Sequence, residues 1–136
     1  MGQNGILLID KPKGFTSHDV VDRVRRVAGT RAVGHAGTLD PMATGLLILG
    51  IGKATKHLSS FAGLDKVYEA ELTLGATSDT FDAEGVIIAH SVQNRPDRTQ
   101  IETALNAFCG SFEQRAPLFS AKKIHGKKLY ELARKG

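Results

Sequence analysis

Asp40 is the only acidic residue in the stretch GHAGTLDPMATG, residues 34–45, and its neighbours are small, apolar or able to turn. Asp before Pro is a turn signal, because Pro41 presets its own backbone angle and the Asp side chain bonds locally. A nucleophilic carboxylate asks for more. It needs a rigid base, a cleft wall free of large side chains, and a cationic or hydrogen-bonding partner that keeps it ionised. Gly37, Thr38 and Gly45 leave room for a ligand to approach the backbone closely, and the apolar run 46–49 can anchor the loop on a core. The partner could be His35, five residues upstream, or Arg31. Spacing along a loop does not choose between a turn and a nucleophile.

The other acidic residues offer less. SDTFDAEG, residues 78–85, gathers Asp79, Asp82 and Glu84. The EF-hand spacing with its closing glutamate is absent, so a solvated loop between strands is the expectation. None of the patterns HExxH, CxxC, GxxxxGK[ST], GxGxxG or GxSxG occurs. That removes the common zinc, redox, phosphate-loop, dinucleotide and serine-nucleophile signatures. No metal and no cofactor is expected. The single cysteine, Cys109, can form no internal disulfide, which fits a reducing, cytoplasmic setting.

Positioning the Asp40 loop requires a core, and the flanking segments supply one. GILLI, residues 5–9, reads as a buried strand, with turn chemistry behind it in DKPKG. Ser17 reads as the N-cap of a helix reaching Ala28, with Val20, Val21, Val24, Val27 and Ala28 as its apolar stripe and Gly29 at its stop. Residues 45–51 read as a second buried strand and 54–62 as a short helix. Residues 66–74 alternate, with Tyr68, Ala70, Leu72 and Leu74 on one face. The alternation turns Tyr68 toward a core, and 86–89 is the expected partner strand. TQIE at 99–102 reads as the capping box of a helix over 99–109, with Ile101, Ala104, Leu105 and Phe108 as its stripe. Strands and helices mix without strict alternation. The expected class is α+β, with a mixed, mostly antiparallel sheet and flanking helices.

The 136 residues are about one domain's length, enough for a modest core. The apolar stretch near the start is too short for a signal peptide or a membrane span, so no membrane partner is expected. The net charge of +4 is unevenly placed. Residues 114–136 carry seven Lys or Arg against the single Glu131, and residues 11–35 carry six against Asp19 and Asp22. The interval 36–113 is acidic, with ten Asp or Glu against five Lys or Arg. Two basic segments on an otherwise acidic body point to a polyanion partner.

GHAGTLDPMATGLLILGIGKATK resembles the catalytic motif of the TruB family of pseudouridine synthases, in its form G-H-x-G-T-L-D-P-x-A-T-G-x-L. Three more segments resemble the same family in order: LLIDKPKGFTSHDVV, KVYEAELTLGATSDTFDAEG and QRAPLFSAKKIHGKKLYELARKG. The resemblance covers residues 5–136. It implies the pseudouridine synthase catalytic fold, built on a mixed sheet. It also implies an isomerase that converts the T-loop uridine of tRNA to pseudouridine, working on the T-arm with no cofactor and no required protein partner. By position, Asp40 matches the catalytic aspartate, which attacks the ribose C1′ or the uracil C6. Tyr68 matches the active-site aromatic that stacks on the target base. His35 matches a histidine that contacts the flipped-out loop nucleotides. Lys11 matches the lysine of the opening segment, and with Lys122, Lys123, Lys127 and Lys128 it is assigned to RNA contact.

The departures from the family pattern are Ala116, Ser78 and Phe119, where Pro, Thr and Tyr are usual. The larger one is length. The family's second half supplies an arginine that pairs with the aspartate, a second tyrosine near the base, and a C-terminal RNA-binding PUA domain. The expectation is therefore the N-terminal part of the catalytic domain, truncated, and weak or inactive alone. A non-catalytic RNA-binding module and a guide-RNA-dependent relative sharing GTLDP are the alternatives; the segment LGATSDTFDAEG favours the stand-alone branch.

Overall fold

A computed structural model describes residues 3–113 together with the backbone of 123–124 and 127–128. The chain divides into two compact units, Met1–Glu69 and Ala70–Gly136.

The first unit is a three-stranded sheet under one helix. Strand β1 is Gly5–Lys11, helix α1 is Ser17–Ala28, strand β2 is Val33–His35 and strand β3 is Gly45–Ile51. The strand order is β1-β3-β2, antiparallel throughout, and the register Gly5↔Ile51 to Lys11↔Gly45 pairs all seven residues of β1 with β3. Alternation decides the faces. Leu7 and Ile9 point to the core with the buried Leu47 and Leu49, where Val20, Val21 and Val24 of α1 meet them beside Val33, Leu39 and Ile51. The opposite face carries Leu8 and Leu46, each 63% exposed. Both strands expected to be buried are thus buried on the α1 side, while the opposite face is open around Leu8 and Leu46.

Thr16, one residue before the expected cap, closes the N-terminus of α1. Its hydroxyl accepts from Asp19 N–H at 3.0 Å while its own N–H donates to the Asp19 carboxylate at 2.8 Å, a complete capping box. Gly29 ends the helix in the left-handed conformation at φ 61°. The helix expected over 54–62 is two pieces, a 3₁₀ turn Gly52–His57 running into α2, Leu58–Ala62. A side chain at Gly50 would meet Ala54 O at 3.0 Å and Leu58 Cγ at 3.1 Å, and a Cβ on its cross-strand partner Gly34 would meet Leu58 Cδ1 at 3.0 Å. The pair forms the flat floor on which Leu58 rests.

Residues 66–74 form no strand. An alternating segment becomes a strand only where a neighbour takes up its backbone hydrogen bonds, and 66–73 lie in no ladder. In the second unit β5, Ile87–Ala89, pairs instead with β4, Ala76–Ser78, in the register Ala76↔Ala89 to Ser78↔Ile87. The acidic segment is the loop between them, as expected. Its carboxylates turn inward on the loop: Asp79 accepts from Val86 N–H at 2.8 Å, and Asp82 from Glu84 N–H at 2.9 Å and Thr80 Oγ1 at 2.6 Å. Helix α3 is Arg98–Asn106, capped by Asp97 with Gln100 at the reciprocal position. The capping box starts two residues before TQIE, because Asp97 is a stronger N-cap than Thr99. Strands β6, Lys123–Ile124, and β7, Lys127–Lys128, pair antiparallel. The class is α+β, and every ladder among the described residues is antiparallel.

Candidate active site

The loop between β2 and β3 carries Asp40, and the turn between β1 and α1 holds that loop. Asp40 itself opens a β-turn closed by Ala43 N–H donating to Asp40 O at 3.0 Å, with Pro41 at the second position. Its side chain is exposed, and among the described residues nothing is bonded to the carboxylate. The local reading as a turn and the reading as a presented carboxylate describe two parts of one residue: the backbone turns and the side chain faces solvent.

Both neighbours of Asp40 are tied down. Leu39 packs on the core. Its N–H donates to Ser17 Oγ at 2.9 Å, and its carbonyl accepts from the same hydroxyl at 3.2 Å. Ser17 is 2% exposed. Pro41 O accepts from Gly14 N–H at 2.7 Å and from the Lys11 ammonium at 3.4 Å. Gly14 sits at φ 86°, a conformation that a Cβ would strain. The segment KPKGFTS, residues 11–17, is thus a clamp around the Asp40 turn.

Lys11 is wholly buried. Its ammonium also donates to Phe15 O at 2.6 Å and Pro12 O at 3.1 Å, so the buried charge is met by three carbonyl oxygens. This corrects the expectation that Lys11 contacts RNA. An ammonium closed into the protein and saturated by carbonyls has no surface to offer a phosphate. Its place is structural, beneath the turn.

His35 ends β2 half-buried, and its Nδ1–H donates to Gly37 O at 2.6 Å. A carbonyl only accepts, so this bond places the hydrogen on Nδ1 and leaves Nε2 as the ring's remaining polar atom. Neither His35 nor Arg31 bonds to Asp40 among the described residues. Arg31 lies before the far end of β2 from the loop. Tyr68 is 68% exposed in the irregular segment after α2. The expectation that a strand turns it toward the core is corrected with the strand itself. Lys122 lies outside the described residues. Lys123, Lys127 and Lys128 lie in the second unit, where Lys123 pairs with Lys128 and Ile124 with Lys127.

The structure therefore brings Lys11 and the Asp40 turn together and joins His35 to the same loop through Gly37. Sequence reasoning missed Ser17 and Gly14 as positioning groups. The signal was the pair Thr16-Ser17 at a helix start. One hydroxyl can cap, and the other is free for different work. Asp19, held by the Thr16 hydroxyl and then by the Thr16 N–H, has its carboxyl below the ordinary value of 3.8, which steadies the cap next to the clamp. No group of three or more His, Cys, Asp or Glu side chains among the described residues is placed to hold a metal ion. No described helix is long and apolar enough to cross a membrane.

Comparison with known proteins adds an independent line. The sequence profile of the TruB family pseudouridylate synthase, N-terminal domain, matches residues 25–136. The chain is 50% identical over 133 residues to a protein of Syntrophotalea carbinolica named tRNA pseudouridine synthase B, an alignment covering 98% of this chain and 44% of that protein. Proteins of the same name from Thermobifida fusca and Geobacillus thermodenitrificans are each 49% identical, over 98% of this chain and 45% and 44% of theirs. The chain spans a little under half the length of these relatives.

Proposed function

Because the chain belongs to the TruB family of pseudouridylate synthases, we propose that it carries the nucleophile half of a tRNA pseudouridine synthase. The observation that supports this best is the Asp40 turn: an exposed carboxylate whose two neighbours are fixed by Ser17, Gly14 and Lys11.

The reaction exchanges the N1–C1′ bond of uridine for a C5–C1′ bond; C5 gives its proton to a base and N1 takes one up, so the product is an isomer and the step is redox-neutral. Asp40 is the attacking group, at the ribose C1′ or at uracil C6. Either route demands a carboxylate whose position does not drift, since the freed uracil must turn and be recaptured at the same sugar. A target base reaches such a site only when flipped out of its stack. Tyr68 is the aromatic that would stack on it, and its exposure leaves the ring available. His35 offers Nε2 to the splayed loop nucleotides. The substrate class is the T-arm stem-loop of tRNA, with Lys122, Lys123, Lys127 and Lys128 as further RNA contacts and the cytoplasm as the place of action.

The test replaces the matching 133 residues of the Syntrophotalea carbinolica protein with this chain and measures tritium release from 5-labelled uridine in a guide-free T-arm RNA. The chimera is expected to turn over, and Asp40→Ala to lose activity by at least about 10³-fold, as removal of a nucleophile does. Turnover retained in Asp40→Ala would refute the nucleophile. A chimera that works only with an added guide RNA would move the chain to the guide-dependent branch.

A further inference from the structure

A broad open groove of about 850 Å³ runs along the outer flank of α1. It starts at Gly14 and Phe15, whose turn is bonded to Pro41 beside Asp40, and it ends at Thr30 and Arg31 beyond the helix stop. Twelve helical residues set its length at about 18 Å.

Its charge balance is one-sided once the internal pairs are removed. Asp22 is engaged by Arg25 at 2.9 Å and lies 3.8 Å from His18 Nε2. Asp19 is held in the capping box. Arg25 itself ties α1 to β2 by donating to Val33 O at 3.1 Å. Arg23, Arg26 and Arg31 remain, exposed and without an acidic partner among the described residues. Compensation of the helix dipole accounts for Arg26, which lies in the last turn. It does not account for Arg23, a turn earlier, or for Arg31, which lies past the Gly29 cap. Three free guanidinium groups along one open groove are suited to phosphates, which they bind as planar forks.

We propose that this groove is a phosphate track: it binds the sugar–phosphate backbone of the RNA strand leading away from the nucleotide presented to Asp40. The proposal rests on the RNA-modifying function given above and deepens it with a second contact surface on the first unit. The geometry gives the strand a direction, from the Asp40 turn past Phe15 toward Arg31. Phosphate contacts of this kind set register and affinity and carry no sequence preference.

The experiment measures binding of a fluorescent T-arm hairpin to this chain between 50 and 200 mM KCl. The wild type is compared with Arg23→Gln/Arg26→Gln and with Arg23→Lys/Arg26→Lys, and circular dichroism confirms that α1 is retained. Loss of two phosphate contacts lowers the slope of log K against log salt by about 1.4 to 1.8 and weakens binding about tenfold or more at 50 mM. The lysine pair is expected to keep the slope. An unchanged slope and affinity in the glutamine pair overturns the track while leaving the RNA function standing. No binding by the wild-type chain overturns both. With poly-glutamate as a second probe on the same variants, loss of its binding in the glutamine pair with hairpin binding intact assigns the groove to an acidic protein and also overturns the track.

Discussion

Ser17→Ala isolates the device that holds Asp40. The hydroxyl accepts one hydrogen bond and donates another, both to the backbone of Leu39, from a position 2% exposed. Each is worth about 1 kcal/mol net, and the Leu39 groups left behind have no other hydrogen bond among the described residues. Alanine recovers a few tenths of a kcal/mol in helix propensity. The expected loss is about 2 kcal/mol, read as a lower urea midpoint with an unchanged m-value. Pro41 stays bonded to Gly14 and Lys11, so the loop loosens on one side and does not detach. A displacement of about 1 Å at a nucleophile costs roughly 10²-fold in rate. In the chimera kcat is therefore expected to fall about 10- to 100-fold, with KM little changed. Val20→Ala is the comparator. It lies 7% exposed in the same core and costs about 1.6 kcal/mol for two lost carbon groups, yet it removes no hydrogen bond to the loop. Equal falls in kcat for the two variants would show that lost stability, and not lost positioning, is the cause.

Other outcomes follow from the same contacts. Lys11→Met keeps the buried stem but removes the ammonium from its three carbonyls; it is expected to cost about 1.5–3 kcal/mol in stability. The salt slope of RNA binding should stay unchanged in that variant, whereas a lost phosphate contact lowers it by about 0.7 to 0.9. Leu49→Ala, at the fully buried centre of the sheet, is expected to cost about 2–5 kcal/mol by denaturant titration. Asp19 has a folded pKa below its unfolded value, so its stabilisation of α1 is present above about pH 4 and is lost as the pH falls through the lowered folded value. Asp19→Asn should remove that part of the acid dependence, measured by helical circular dichroism between pH 5 and 2.

How much was legible before folding varies with the kind of signal. The strand over 45–51 and the helix over 17–28 carry their own evidence: an apolar run in one, a 3.6-residue stripe with a glycine stop in the other. Both elements are present, the helix capped one residue earlier than read and the strand buried on one face. The alternation at 66–74 was equally clear and failed, because a strand exists only with a neighbour and periodicity names no partner. The caps at Thr16 and Asp97 each fell close to the residue expected, since several adjacent polar side chains can cap and local geometry selects one.

The Asp40 motif shows the same division within one site. Residue types alone determined that a carboxylate would stand in a glycine-bearing turn before an apolar strand. They also determined the family, through four segments in order. Only tertiary structure decided what holds that turn. Ser17 and Leu39 are 22 residues apart, and Lys11 and Pro41 are 30 apart. Their meeting depends on β1 pairing with β3 along seven residues and on α1 lying across both. For the same reason Lys11 changed from a surface cation to a buried post. Charge is a property of the residue, whereas exposure is a property of the fold.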